Sequence, residues 1–171
     1  MEERFSALEQ AFAVYRQDLE ACVRKSKPTD GLLGFGRSLK DDPCHDRFDE
    51  RIKEAVDGIS ALSPAPEDAA RTVRMLLRDD MSSWPVAAQW MLRAIERHCL
   101  PLIPFLTPAD AGVFLKDYTA RYKPWDRLPV QQEIYKALKH RAGAEKKNQI
   151  TAGKLLFRQW HVHVENFKMK R

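Results

Sequence analysis

An all-α fold, a single-domain bundle of about seven helices with one long glycine-containing loop, follows from three features of the sequence. Apolar residues recur at three- and four-residue spacing in segment after segment. Prolines and capping residues stand where those segments begin. The one stretch that alternates like a strand, near the C-terminus, also fits a helix, which its length and the absence of any other strand to pair with favour. The chain has 171 residues, which suits one domain over 1–171, long enough to bury roughly two-thirds of its unfolded surface.

The first helix is expected over Arg4–Lys25. Phe5, Leu8, Phe12, Tyr15, Leu19 and Cys22 alternate three- and four-residue steps, the period of a coiled-coil seam. That seam either packs within its own domain or forms a homodimer interface. Lys27–Pro43 follows as the long loop. Gly31, Gly34 and Gly36 permit unusual backbone angles there, and Leu32, Leu33, Phe35 and Leu39 can anchor it. Its G-x-x-G-x-G pattern lacks the preceding strand and the lysine spacing of a phosphate loop.

Asp42 as cap and Pro43 at the first position open the second helix, with Phe48, Ile52, Ala55, Val56, Ile59 and Leu62 as its stripe. The third follows S-P-A-P-E-D, where Glu67 and Asp68 suit the positive end of the dipole, and uses Ala69, Ala70, Val73, Leu76 and Leu77. The most apolar stretch is 82–108. A central helix is expected there from Trp84 to Cys99, capped by Ser83, with Val86, Ala87, Trp90, Met91, Ala94, Ile95 and Cys99 facing inward. Leu102, Ile103, Phe105 and Leu106 continue into a proline-bounded crossover that is too apolar for a solvated loop.

Thr107-Pro108-Ala109-Asp110 is a helix start with its own cap, and Ala111, Phe114, Leu115 and Tyr118 carry that fifth helix to about Tyr122. K-P-W-D-R-L-P then makes a turn with Trp125 expected beneath it. Pro129 opens a sixth helix with Val130, Ile134, Tyr135, Ala137 and Leu138 inward. A basic connector around Gly143 leads to Ala152–Lys168, where Leu156, Trp160, Val164 and Phe167 fit a helix while Trp160, Val162 and Val164 fit a strand.

Composition narrows the classes of function. Apolar residues make up 44% and charged residues 31%, a globular balance. No apolar run is long enough for a membrane span, and the N-terminus M-E-E-R-F-S lacks a signal peptide's apolar region. Three cysteines, an odd number, point to reduced thiols and a cytoplasmic setting. Residues 1–119 hold 16 Lys and Arg against 20 Asp and Glu, a net charge of −4. Residues 120–171 hold 13 against 4, a net charge of +9. A basic third of this kind attracts nucleic acid, an acidic protein or an anionic surface.

Several residues could carry chemistry. Cys44 in a first helical turn would gain thiolate character from the dipole, with His45 beside it. A catalytic or redox-sensing thiol centred on Cys44 is therefore one reading, although adjacent helical residues do not face each other. Cys44, His45, His98 and Cys99 have a zinc site's inventory, but adjacent ligands on a helix diverge. His161 and His163 would share a face only in a strand. The basic set of Lys136, Lys139, His140, Arg141, Lys146, Lys147, Lys154, Arg158, Lys168, Lys170 and Arg171 can contact phosphates or an acidic partner. Asp41-Asp42, Glu67-Asp68 and Asp79-Asp80 read as pairs at helix ends. No hydrolase, zincin or dinucleotide fingerprint occurs and no cofactor is implied. The leading expectation is a non-enzymatic interaction or regulatory module with a protein partner; nucleic-acid binding through the basic third is the alternative.

Overall fold

A computed structural model describes residues 1–25 and 43–143. The chain is all-α: six α-helices stand among the described residues, which contain no strand. They are α1 (Glu2–Lys25), α2 (Cys44–Ser60), α3 (Pro66–Leu76), α4 (Val86–Ile95), α5 (Pro108–Arg121) and α6 (129–143). Short 3-10 turns at Met81–Ser83, Glu96–Cys99, Ile103–Phe105 and Pro124–Asp126 join them. The Lys27–Pro43 loop up to residue 42, the expected seventh helix at Ala152–Lys168 and the His161–His163 pair lie outside the described residues.

The heptad seam of α1 is turned inward. Phe5, Leu8, Phe12, Tyr15 and Leu19 are all buried, because α2 lies along α1 and offers Phe48, Ile52, Val56 and Ile59 at matching helical spacing. Tyr15 and Phe48 stack with ring centroids 4.0 Å apart, and Phe12 meets Phe48 edge-on at 5.3 Å. Such pairs add about 0.5–1.5 kcal/mol beyond the area they bury. These seam residues are committed within the chain and present no face for a second copy.

One apolar cluster continues from this pair through Val73 and Leu76 of α3, Leu92 and Ile95 of α4, Leu102, Ile103 and Leu106 of the crossover, and Phe114, Ile134 and Leu138. The proline-bounded crossover is thus core, as its composition requires. Thr107 caps α5 by accepting from the Asp110 amide at 3.0 Å, with Pro108 in the first turn. Helix α2 instead begins after Pro43 with no side-chain cap. It ends at Ser60, so Leu62 falls in the following turn and is exposed rather than part of the stripe. Ser63, at φ 48°, turns the chain toward Pro64 and α3.

The central helix departs most from its expected form. Pro85 is its N-cap and Ser83 sits in the preceding 3-10 turn, so α4 starts at Val86. Its last turn tightens to 3-10 geometry over Glu96–Cys99. The buried stripe is Ala88, Met91, Leu92, Ile95 and Cys99, while Val86 is 82% exposed and Trp90 41%. The segment is apolar around most of its circumference, so several phases satisfy periodicity equally. The phase adopted also carries Glu96 to the inside. Replacing Leu92 by Ala should cost about 2–5 kcal/mol, whereas Val86→Ala should stay within about 0.5 kcal/mol. Urea unfolding of both variants checks this, and the reverse ranking contradicts the observed phase.

Candidate functional site

The cysteine and histidine candidates belong to the core. Cys44 is in the first turn of α2, as expected, but only 1% exposed. His45 is buried with Nδ1 2.8 Å from the Tyr15 hydroxyl, and its ring is edge-on to Trp90 at 5.0 Å. His98 Nε2 lies 2.8 Å from Asp49 of α2, whose other carboxylate oxygen accepts from Arg97. Cys99 is fully buried, and desolvation together with the nearby Glu96 carboxylate pushes its thiol pKa well up. Thus α2 and the turn after α4 are joined by His98–Asp49 and Arg97–Asp49. Among the described residues no group of three or more His, Cys, Asp or Glu side chains is placed to hold an ion. The Cys44 side chain is part of the core cluster.

A polar centre that periodicity did not reveal lies on the inner face of the same turn. Glu96 is wholly buried. Its Oε2 accepts from the Tyr118 hydroxyl at 3.0 Å and its Oε1 from the Tyr122 hydroxyl at 2.8 Å. Arg121 Nη1 lies 3.5 Å from Oε1, and Arg121 Nη2 donates to the Leu77 carbonyl at 2.9 Å. Gln131 of α6 is also buried and donates to the Arg93 carbonyl at 3.4 Å. Burial drives the Glu96 carboxyl pKa up, against the hydroxyls and the guanidinium that favour the anion. Burial and this carboxylate likewise raise Tyr118 and Tyr122. A signal was present in the sequence: Glu96 interrupts an apolar stripe at its Ile95 and Cys99 edge, and Tyr118 and Tyr122 are one turn apart on α5.

Beside this centre a cleft of about 450 Å³ is lined by Asp79, Met81, Arg93, Arg121, Tyr122 and Asp126. Two arginines and two aspartates are among its lining residues. Glu96 does not open onto it. The arrangement links α4, α5 and α6 around the buried carboxyl.

The basic set divides. Lys136, Lys139 and His140 are exposed on one face of α6. Arg141 is not part of that free face, because its Nε donates to the Leu106 carbonyl at 2.5 Å and ties α6 to the crossover. Lys146, Lys147, Lys154 and Arg158 lie outside the described residues.

Trp125 is 80% exposed, contrary to its expected place beneath the turn, and Leu128 is 62% exposed. The neighbouring position against α6 belongs to Arg127. Its Nε donates to the Tyr122 carbonyl at 3.1 Å and its guanidinium lies 3.9 Å from the centroid of Tyr135. Lys139 Nζ is 5.9 Å from the same centroid. An exposed aromatic residue, an exposed leucine and several cations therefore share the corner between α5 and α6.

No family model, curated protein or solved structure matches the chain.

Three measurements probe this geometry. Tyr122→Phe removes one donor from a buried carboxyl and should cost about 1–3 kcal/mol. Glu96→Gln tests the charge. A carboxyl whose folded pKa is raised stabilises the fold while it is protonated, and that stabilisation is lost as pH rises through the folded value. The stability of Glu96→Gln relative to the parent should therefore improve from pH 4 to pH 8 in urea unfolding, and a constant difference contradicts the raised value. In native protein Cys44 and Cys99 should both alkylate far more slowly than after denaturation, read site by site by mass spectrometry. Rapid native labelling of Cys44 would reopen the thiol reading.

Proposed function

We propose that this protein is a non-enzymatic binding module whose contact surface is the corner between α5 and α6. The observation that carries the reading is the exposure of Trp125 and Leu128 beside Arg127, whose guanidinium shares the Tyr135 ring with Lys139 of the exposed α6 face. Large aromatic residues exposed beside cations are the composition of an interface, since they lose most by remaining in water and gain most when covered. The excess positive charge of residues 120–171 fits an anionic partner, and both an acidic protein segment and a nucleic-acid backbone have that character. The expected cytoplasmic setting belongs to the same proposal. Among the described residues no helix is long and apolar enough to cross a membrane.

A catalytic role has less support. The nucleophile candidates are buried, and the Glu96 carboxyl, its pKa raised by burial, is enclosed by tyrosines. Affinity capture with the intact chain beside a Trp125→Ala/Leu128→Ser variant tests the binding module. Both positions are exposed, so circular dichroism should be unchanged. The reading expects bound species to fall at least about tenfold in the variant, the effect of roughly 1.4 kcal/mol. Equal recovery by both proteins overturns the assignment of this corner.

A further inference from the structure

Resting on that binding-module reading, we infer that the partner taken by the α5–α6 corner is single-stranded nucleic acid, with the Trp125 ring as a stacking platform and Lys136 and Lys139 as phosphate contacts.

The first argument is the presentation of Trp125. It sits in the Pro124–Asp126 3-10 turn, which is closed by the Asp126 amide donating to the Lys123 carbonyl at 2.9 Å. The turn is fixed on its far side by Arg127, held by the Tyr122 carbonyl and packed on Tyr135. Tyr122 is in turn anchored through its hydroxyl to the buried Glu96. The backbone beneath the exposed indole is thus tied to the core at successive points, which lowers the ordering cost of using it as a contact. Every base has a π-face, so a ring offered from a fixed turn can stack bases without regard to sequence.

The second argument is charge placement. Residues 120–143 contain six Lys and Arg and two Asp and Glu. Three of those cations are internally engaged, Arg121 at Glu96, Arg127 at the Tyr122 carbonyl and Arg141 at the Leu106 carbonyl. Lys123, Lys136 and Lys139 are exposed. Arg127 and Lys139 converge on the single ring of Tyr135, which gathers positive charge two residues from Trp125. Cations grouped around an exposed aromatic complement a strand whose phosphates and bases are both accessible. A duplex keeps its bases inside the stack and would leave the indole without a counterpart.

The test is fluorescence anisotropy with labelled oligo-dT, oligo-rU, a duplex of equal length and a glutamate-rich peptide, across a salt series, using the full chain. The expected result is salt-sensitive binding of the single strands, tighter than that of the duplex. Trp125→Ala should weaken it roughly 5- to 150-fold, the equivalent of losing about 1–3 kcal/mol of base stacking. Lys136→Gln/Lys139→Gln should flatten the dependence of log affinity on log salt by about 0.7 for each phosphate that is no longer neutralised. No single-strand binding at low salt, duplex binding of equal strength, or unchanged affinity in Trp125→Ala each overturns the inference. If the acidic peptide binds and loses affinity in Trp125→Ala while the oligonucleotides do not bind, the nucleic-acid inference fails and the binding module stands. If no probe binds and the Trp125→Ala/Leu128→Ser capture is also unchanged, both fail.

Discussion

A carboxyl group with no exposure to water fixes the C-terminal half of this fold. Glu96 follows directly on an apolar helix, and burying it without partners would cost far more than a marginally stable domain tolerates. Its oxygens must therefore meet donors. Tyr118 and Tyr122 come from one face of α5, and Arg121 adds its charge from the same turn. Meeting that requirement sets the rotation of α5 about its axis and where it ends. It also gives α4 a phase that sequence periodicity does not choose: the face that buries Leu92 and Ile95 also buries Glu96, while Val86 is left in solvent.

The same constraint reaches the surface in two steps. Tyr122 is held by its hydroxyl from inside, and its backbone carbonyl receives Arg127. Arg127 then lies on Tyr135 of α6, in the place that the turn's sequence predicts for Trp125, and the indole is left outside. The exposure of Trp125 is thereby a consequence of how the interior is satisfied.

The N-terminal half follows a simpler logic. Shape and apolar area dominate where α1 lies on α2, with Tyr15 and Phe48 stacked at the centre and His45 closing the edge through its contact with Tyr15. Asp49 links α2 to the turn that carries Glu96, since His98 and Arg97 converge on it from the outer side of that turn. The inner face of the turn thus serves the α5–α6 half and the outer face serves α2. Histidine and cysteine residues that together suggest a metal or thiol site are, in three dimensions, divided among these separate tasks.

The sequence by itself determined the all-helical class, the apolar seam of α1, the stripe of α2 from Phe48 to Ile59, the start of α5 at Thr107 and the burial of the crossover. Each depends on chemistry local to a few neighbouring residues: side-chain spacing, a capping hydroxyl, or prolines bounding large apolar groups. Tertiary structure alone decided the phase of α4, the pairing of Glu96 with Tyr118 and Tyr122, the removal of Arg141 from the free basic face and the exposure of Trp125. Those outcomes depend on contacts between residues far apart in the chain, such as Arg141 with Leu106 and Glu96 with Tyr122. Periodicity reports which side of a helix is apolar, but it cannot say which distant donor will reach a buried carboxyl.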